Sequence, residues 1–454
     1  LFTFSKKQFI RHFRQRKSTG VEVLWTGQVY CLQIVAILRP TEEIPMIEEL
    51  PKLRSRLEAI PIRRGRELYI ALRDLEGLNQ ETLVLSPQAY FLVTLLDGSN
   101  SAVDIQAAYM RRFGNILYRE DLDGLLQQLN THFFLDNENS RGRMEQLISE
   151  FRDQPTRPAY HAGLSYENNP EDLRAQLKSY FAPENGGPGD PNPTEAKRTI
   201  AGVMAPHIDL RSGGPCFAYA YKALVEATAF HTCVVLGTGH EPLPHYFALS
   251  RKDFDTPLGS VLVDKEFIDE LSSRCSLDLL ADEFAHRREH TIEFQALFLR
   301  LLLPEVRIVP LLCSFGVEEI EERTDDIQHM VQALKETLDH YPHPVCLLSS
   351  VDLAHIGPRY GDTFRPHAGT VSEHNEADHR LLETVTNADA EAFATTLVRE
   401  RNRRRICGLP PLYTMLKTLE RMVEGELLRY DYTKVDNEGS FVTFASMAFY
   451  KNAT

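Results

Sequence analysis

Between Thr199 and Val351 four short runs are apolar at nearly every position: TIAGVMAP, TCVVLG, RIVPLLC and PVCLLSSV. Runs without polar alternation suit strands covered on both faces. The stretches between them, CFAYAYKALVEATAF, FIDELSSRC and IEERTDDIQHMVQALKETLDHY, suit helices. Strands alternating with helices predict an α/β fold, with a largely parallel sheet flanked by helices. The last part of the chain alternates more: LLRYDYTK and FVTFASMAFYK read as a closing pair of edge strands.

The first part has a different texture. ELYIALRD is strand-like, and three helices follow: LSPQAYFLVTLLDG, SAVDIQAAYMRRFG and EDLDGLLQQLNTHFFL. Ser86 before Pro87 suits an N-cap, and Gly98 suits a helix stop. One short strand and three helices predict a small winged-helix-like α+β domain over 46–136. Residues 137–156 are charged and read as a helical linker, and the larger domain follows over 157–454. APENGGPGDPNP, residues 182–193, reads as an exposed loop. Residues 1–45 begin with Leu, carry basic residues and the single Trp25, and change character at Met46. They read as an extension upstream of the true start, poorly packed.

Charge narrows the partners. A net charge of −14 over 454 residues argues against nucleic acid and against a polybasic membrane contact. No apolar run reaches the roughly 18 residues of a membrane-spanning helix. Seven scattered cysteines without a CxxC pair fit a reducing, cytoplasmic compartment.

Three strand ends carry the candidate chemistry. APH brings His207, VVLGTGH brings His240 after a glycine turn, and SSVDLAH brings Asp352 and His355. Parallel strands put such ends at one sheet edge, where open α/β folds bind ligands. Imidazoles there can ligate Zn, Fe or Cu, and another can act as acid or base; one such histidine alone reads rather as a loop residue, and it is three at strand ends that bring the two readings level. Glu289 and Glu293 flank His290 at a predicted helix start and share a face by their spacing, which also suits an acidic first turn at the helix dipole. Cys407, before Gly408 and two prolines, sits where a helix start would lower a thiol pKa and make a soft ligand; otherwise it is a small buried residue.

Taken in order, RPAYHAGLSYENNPEDL, APHIDLRSGGPCFAYAYKAL, VVLGTGHEPL, DTPLGSVLVD, REHTIEFQALFL, SSVDLAHIGPRYGD and ICGLPPLYTML resemble the successive motifs of the Memo family. That family includes the bacterial proteins called AmmeMemoRadiSam system protein B. The resemblance implies the fold of LigB-type class III extradiol dioxygenases, with a metal pocket at the sheet edge. It places the metal on His207, His240 and Cys407, with Fe(II) favoured and Cu or Zn as alternatives. Asp352 and His355 would be catalytic, and Glu289, His290 and Glu293 would stand behind the ligands. It implies action beside radical SAM and AMMECR-type proteins, as an oxidoreductase or metal-dependent modification component, or alternatively as a non-catalytic metal- and peptide-binding adaptor. Two segments depart from the pattern: ALF at 296–298 stands where a Pro-aromatic pair is frequent, and IDLRSGG replaces the aromatic-rich loop of animal members. LVTLLDG, SAVDI and the helix after them resemble a PqqD-like domain, which implies a peptide partner bound by strand addition.

Overall fold

A computed structural model describes residues 50–452, apart from 80, 194–197 and 323. The expectation for residues 1–45 falls outside this range. The chain divides into two compact units at Glu150/Phe151.

In the N-terminal unit, strands β1 (Leu57–Arg64), β2 (Glu67–Asp74) and β3 (Leu83–Leu85) form an antiparallel sheet in that order. Helices α1 (Pro87–Val93), α2 (Ala102–Phe113) and α3 (Arg119–Thr131) follow, then α4 (Glu138–Asp153). Ser86 Oγ accepts the Ala89 N–H at 3.1 Å, so the expected cap is present. Ser101 and Asp104 close a reciprocal capping box on α2. Leu72, Leu92, Val93, Ile105, Leu122 and Phe134 form a common core. Where one strand was expected there are three. β1 escaped the sequence pattern because LEAIPIRR carries Pro61 and is only half-buried, both of which blur a strand signal.

The second unit is built on one eight-stranded sheet. Its strands are β4 (Ile200–Ala205), β5 (Thr232–Thr238), β6 (Phe247–Leu249), β7 (Arg307–Cys313), β8 (Val345–Ser350), β9 (Asp352–Ile356), β10 (Val423–Lys434) and β11 (Phe441–Lys451). The order is β9-β11-β4-β8-β5-β7-β6, with β10 paired to β11. The centre, β4-β8-β5-β7, is parallel and the flanks are antiparallel, so the fold is α/β with a mixed sheet around a parallel core. All four apolar runs of the sequence are strands, buried at every position or nearly so. Ser350 of β8 lies level with Ala205 of β4 and Gly237 of β5. The segments that follow, with His207, His240 and Asp352, therefore leave the sheet at one edge.

Helices α5 (Pro170–Ser179), α6 (Leu210–Val225), α7 (Lys265–Arg274), α8 (His290–Leu302), α9 (Asp325–His340), α10 (Ala368–Thr386), α11 (Ala390–Glu400) and α12 (Leu409–Leu419) surround it. Between α6 and α8, Phe298 stacks on Phe217 and Tyr221 at centroid distances of 5.2 and 4.8 Å. Phe298 belongs to the divergent ALF triplet, so that departure supplies an aromatic to the core rather than to a site.

Two expectations change. LRSGG is not a loop but the first turns of α6, capped by Asp209, which accepts the Arg211 N–H at 2.9 Å. Its glycines allow close packing: a Cβ on Gly214 would come within 2.3 Å of the Tyr180 ring. The final strands are not both edges. β10 is an edge, but β11 runs inside the sheet, with β10 on one side and β4 and β9 end to end on the other. Its polar positions are small and can be buried; Thr443 Oγ1 donates to Asp378 and accepts the Ala354 N–H. Among the described residues no helix is long and apolar enough to cross a membrane.

Candidate metal centre

The first turns of α8 fasten the parallel strand ends together. Thr291 Oγ1 donates to the Thr238 carbonyl at the end of β5, at 3.0 Å. Gln295 Nε2 donates to the Pro206 carbonyl beyond β4 at 2.8 Å and to Ser350 Oγ of β8 at 3.0 Å. Gln295 is held in turn by the Tyr221 hydroxyl at 2.9 Å. The helix comes close enough that a Cβ on Gly237 would sit 2.6 Å from Ile292, which explains a glycine inside a buried strand.

This frame brings His207, His240 and His290 together. One ligand atom of each lies within 4.8 Å of the others, so the group could hold a metal ion. The His240 and His290 rings are stacked, 5.1 Å apart at 11°, and His207 stands edge-on to both. Glu289, the N-cap of α8, organises two of them. It accepts the His240 N–H at 3.0 Å and His240 Nδ1 at 3.1 Å, and lies 3.1 Å from His290 Nδ1. With Nδ1 engaged by a carboxylate, Nε2 is left for an ion, the usual support for a metal-bound histidine. Cys407 is next to this group: Sγ lies 3.2 Å from His207 Nε2. Donors on a tetrahedral ion, at about 2.0 Å for nitrogen and 2.3 Å for sulfur, sit roughly 3.5 Å apart. The contact therefore suits two atoms facing the same ion.

Electrostatics agrees with the donor set. Burial, with His240 and His290 nearby, holds the His207 imidazole well below its ordinary pKa and so neutral, the form that ligates. Burial opposes a charge on Glu289, but His240 and His290 overcome it and hold the carboxyl well below the usual range. Burial pushes Asp352 up to about 6 against the His207 N–H, which donates to Oδ1 at 2.9 Å; the Ile208 N–H does so at 3.1 Å. Asp352 thus aims the backbone of the first histidine. Cys407 corrects an expectation. Burial and the nearby Asp352 push its thiol up rather than down, because the low-polarity surroundings outweigh the helix start two residues on. His355, on β9, donates from Nδ1 to the Leu353 carbonyl at 3.0 Å and packs edge-on to Tyr360. Burial pushes its pKa down to about 3.

Glu289 and Glu293 do not share surroundings. Glu293 turns away from the histidines and pairs with fully buried Arg157. It also accepts the Tyr166 hydroxyl and, at 2.8 Å, the His161 N–H. Arg157 reaches back to the Glu289 carbonyl at 2.8 Å, so this pair anchors the helix start from behind.

The family described as Memo-like protein matches residues 157–448. The chain belongs to the Memo-like family. A MEMO1 family protein of Aquifex aeolicus (strain VF5) is 30% identical over 381 residues, covering 84% of this chain and 95% of that protein. One from Thermus thermophilus is 28% identical over 328 residues, 72% of this chain and 92% of its own. One from Methanopyrus kandleri is 30% identical over 296 residues, 63% of this chain and 96% of its own. The Aquifex alignment is longer than the Memo-like segment, so it extends into the N-terminal unit.

In this Memo-like domain a cleft of about 530 Å³ opens beside His240 and Cys407. One wall is the loop that carries Cys407, and sequence reasoning missed how it is built. Arg401, Asn402 and Arg405 have left-handed backbone, with φ of 49°, 42° and 56°. Asn402 clamps Ile406, accepting its N–H at 2.9 Å and donating to its carbonyl at 3.1 Å. Arg404 is buried against Asp378, and Arg405 pairs with Asp362 and donates to the His355 carbonyl at 3.1 Å. The available signal was an asparagine among arginines, since Asn accepts left-handed backbone more readily than most residues.

Proposed function

We propose that the chain holds one transition-metal ion, Fe(II) ahead of Cu or Zn, and uses it on a molecule bound in the adjoining cleft, as an oxidoreductase or metal-dependent modification component. The observation that carries this is the convergence of three imidazoles within 4.8 Å beside a cleft of about 530 Å³. His207, His240 and His290 would hold the ion, with Cys407 beside them. Bound there, it would supply redox chemistry and polarisation of a reacting group. Asp352 and Glu289 fix the histidines. His355 is kept neutral and has Nδ1 engaged, so Nε2 is the atom that would take or give a proton. The described cysteines are free thiols, which suits a cytoplasmic setting.

The N-terminal unit enters the proposal as a PqqD-like, winged-helix-like module that presents a peptide. Its small antiparallel sheet, whose outer strands β1 and β3 each pair with only one strand among the described residues, supports this. Radical SAM and AMMECR-type partners follow from the family resemblance. The same unit favours the second reading, an adaptor that binds metal and peptide without turnover.

The test is metal content after anaerobic purification, for wild type, His207→Ala, His290→Ala and Cys407→Ser, each checked for folding. About one iron per chain, lost in the histidine variants, would support the site and lead to an oxygen-consumption screen with catechols and peptides. Loss in Cys407→Ser but not in His290→Ala would make the thiolate the third ligand. Copper or zinc at that ratio would favour the adaptor. A folded wild type that takes no metal on reconstitution would overturn the proposal.

A further inference from the structure

The walls of the cleft are unequal in chemistry. Leu243, Tyr246, Phe315 and Leu409 supply an apolar, aromatic surface. The Tyr246 and Phe315 rings stand perpendicular with centroids 6.4 Å apart, and Phe315 also meets Tyr413 at 6.2 Å. Among the described lining residues there is one carboxylate, Glu319, and no lysine or arginine. Glu319 is half-buried and fixed in place, since its Oε2 accepts the Gly316 N–H at 2.8 Å. The described arginines of the loop that carries Cys407 are engaged or directed elsewhere: Arg404 with Asp378 and Glu400, Arg405 with Asp362, and Arg401 and Arg403 exposed outside the lining.

A carboxylate beside aromatic faces, with no lysine or arginine among the described lining residues, suits a positively charged guest. Ring faces attract ammonium groups, and a half-buried carboxylate adds a charged acceptor. An anionic guest would meet Glu319 as a like charge, with no lysine or arginine among the described lining residues to pair with. We propose that the cleft takes an apolar or aromatic amine, its ammonium paired with Glu319 and its body against Tyr246 and Phe315, beside His240 and Cys407. This rests on the metal-site reading for its place in a reaction, not for binding.

The test uses two probes of similar shape and opposite charge, 2-phenylethylamine and 3-phenylpropionate, titrated calorimetrically into the full chain with and without metal. The expected result is at least tenfold tighter binding of the amine. Glu319→Gln should reduce that preference below threefold, and Glu318→Gln, at an exposed neighbour outside the lining, should leave it intact. Equal or tighter binding of the carboxylate, no binding of either probe, a preference that survives Glu319→Gln, or one that Glu318→Gln also abolishes would overturn the proposal. Metal content is read separately. A chain that prefers the amine but takes no metal loses the metal reading and keeps this one; a chain that takes metal without the preference does the reverse.

Discussion

Two buried carboxylates, four residues apart at the start of α8, have different company. Glu293 is sealed from solvent with a guanidinium, a phenol and a backbone N–H. Glu289 holds two imidazoles beside an open cleft. A guanidinium keeps its charge at any working pH, so the first cluster can only hold the chain together. An imidazole nitrogen can lend a lone pair to a metal, so the second could hold an ion. A buried acid is therefore not itself a mark of function; its partner decides.

The largest effect expected is on the sealed side. Arg157→Met leaves Glu293 buried without a counter-charge and should cost about 3–5 kcal/mol in urea unfolding. Metal bound per folded chain should stay the same, and adding Glu293→Gln should restore part of the loss. A cost below about 1 kcal/mol would erase the contrast between the two carboxylates.

His286 sharpens it through pH. Its carbonyl accepts Arg157 Nε at 2.9 Å, and burial moves its pKa down from 6.5 to about 4. The unfolded chain binds this proton first as pH falls, so stability is present above about pH 6.5 and lost towards about pH 4, by about 3 kcal/mol in all. His286→Gln should flatten that limb of the stability–pH curve. An unchanged slope would show that the native chain protonates this histidine freely.

On the open side, Glu289→Gln should weaken metal binding about 10–100-fold in chelator competition, with a smaller change in stability. Equal affinity would show that the two imidazoles orient without it. The smallest effect is expected for Asn402→Ala, about 1–2 kcal/mol from lost hydrogen bonds and left-handed backbone. Alkylation of Cys407 should then speed up several-fold, a readout that stability loss elsewhere would not produce.

The strand ends were legible because continuous burial leaves an unbroken apolar signal, and parallel ends must share an edge. The placement of His207, His240 and Asp352 at that edge followed from it, while the roles expected of them came from the family resemblance. The role of His290 did not. Glu289, His290 and Glu293 are a spacing on a line of text, and which of them faces the histidines depends on how Thr291 and Gln295 fasten α8 to the strand ends. The cysteine loop was opaque for a related reason. Its shape comes from three left-handed residues and side chains that bind backbone, features with no periodic signature. The rise of the Cys407 pKa shows the same limit, since burial and Asp352 are both supplied by tertiary structure.

The interior position of β11 has a consequence for biosynthesis. Both neighbours of β4, β8 and β11, are translated after it. The strand leading to His207 leaves the ribosome with both edges open; β8 closes one of them, and the other waits for β11. Such late, long-range pairing is slow and leaves a sticky intermediate. Nascent or prematurely stopped chains would expose that edge to one another and to chaperones.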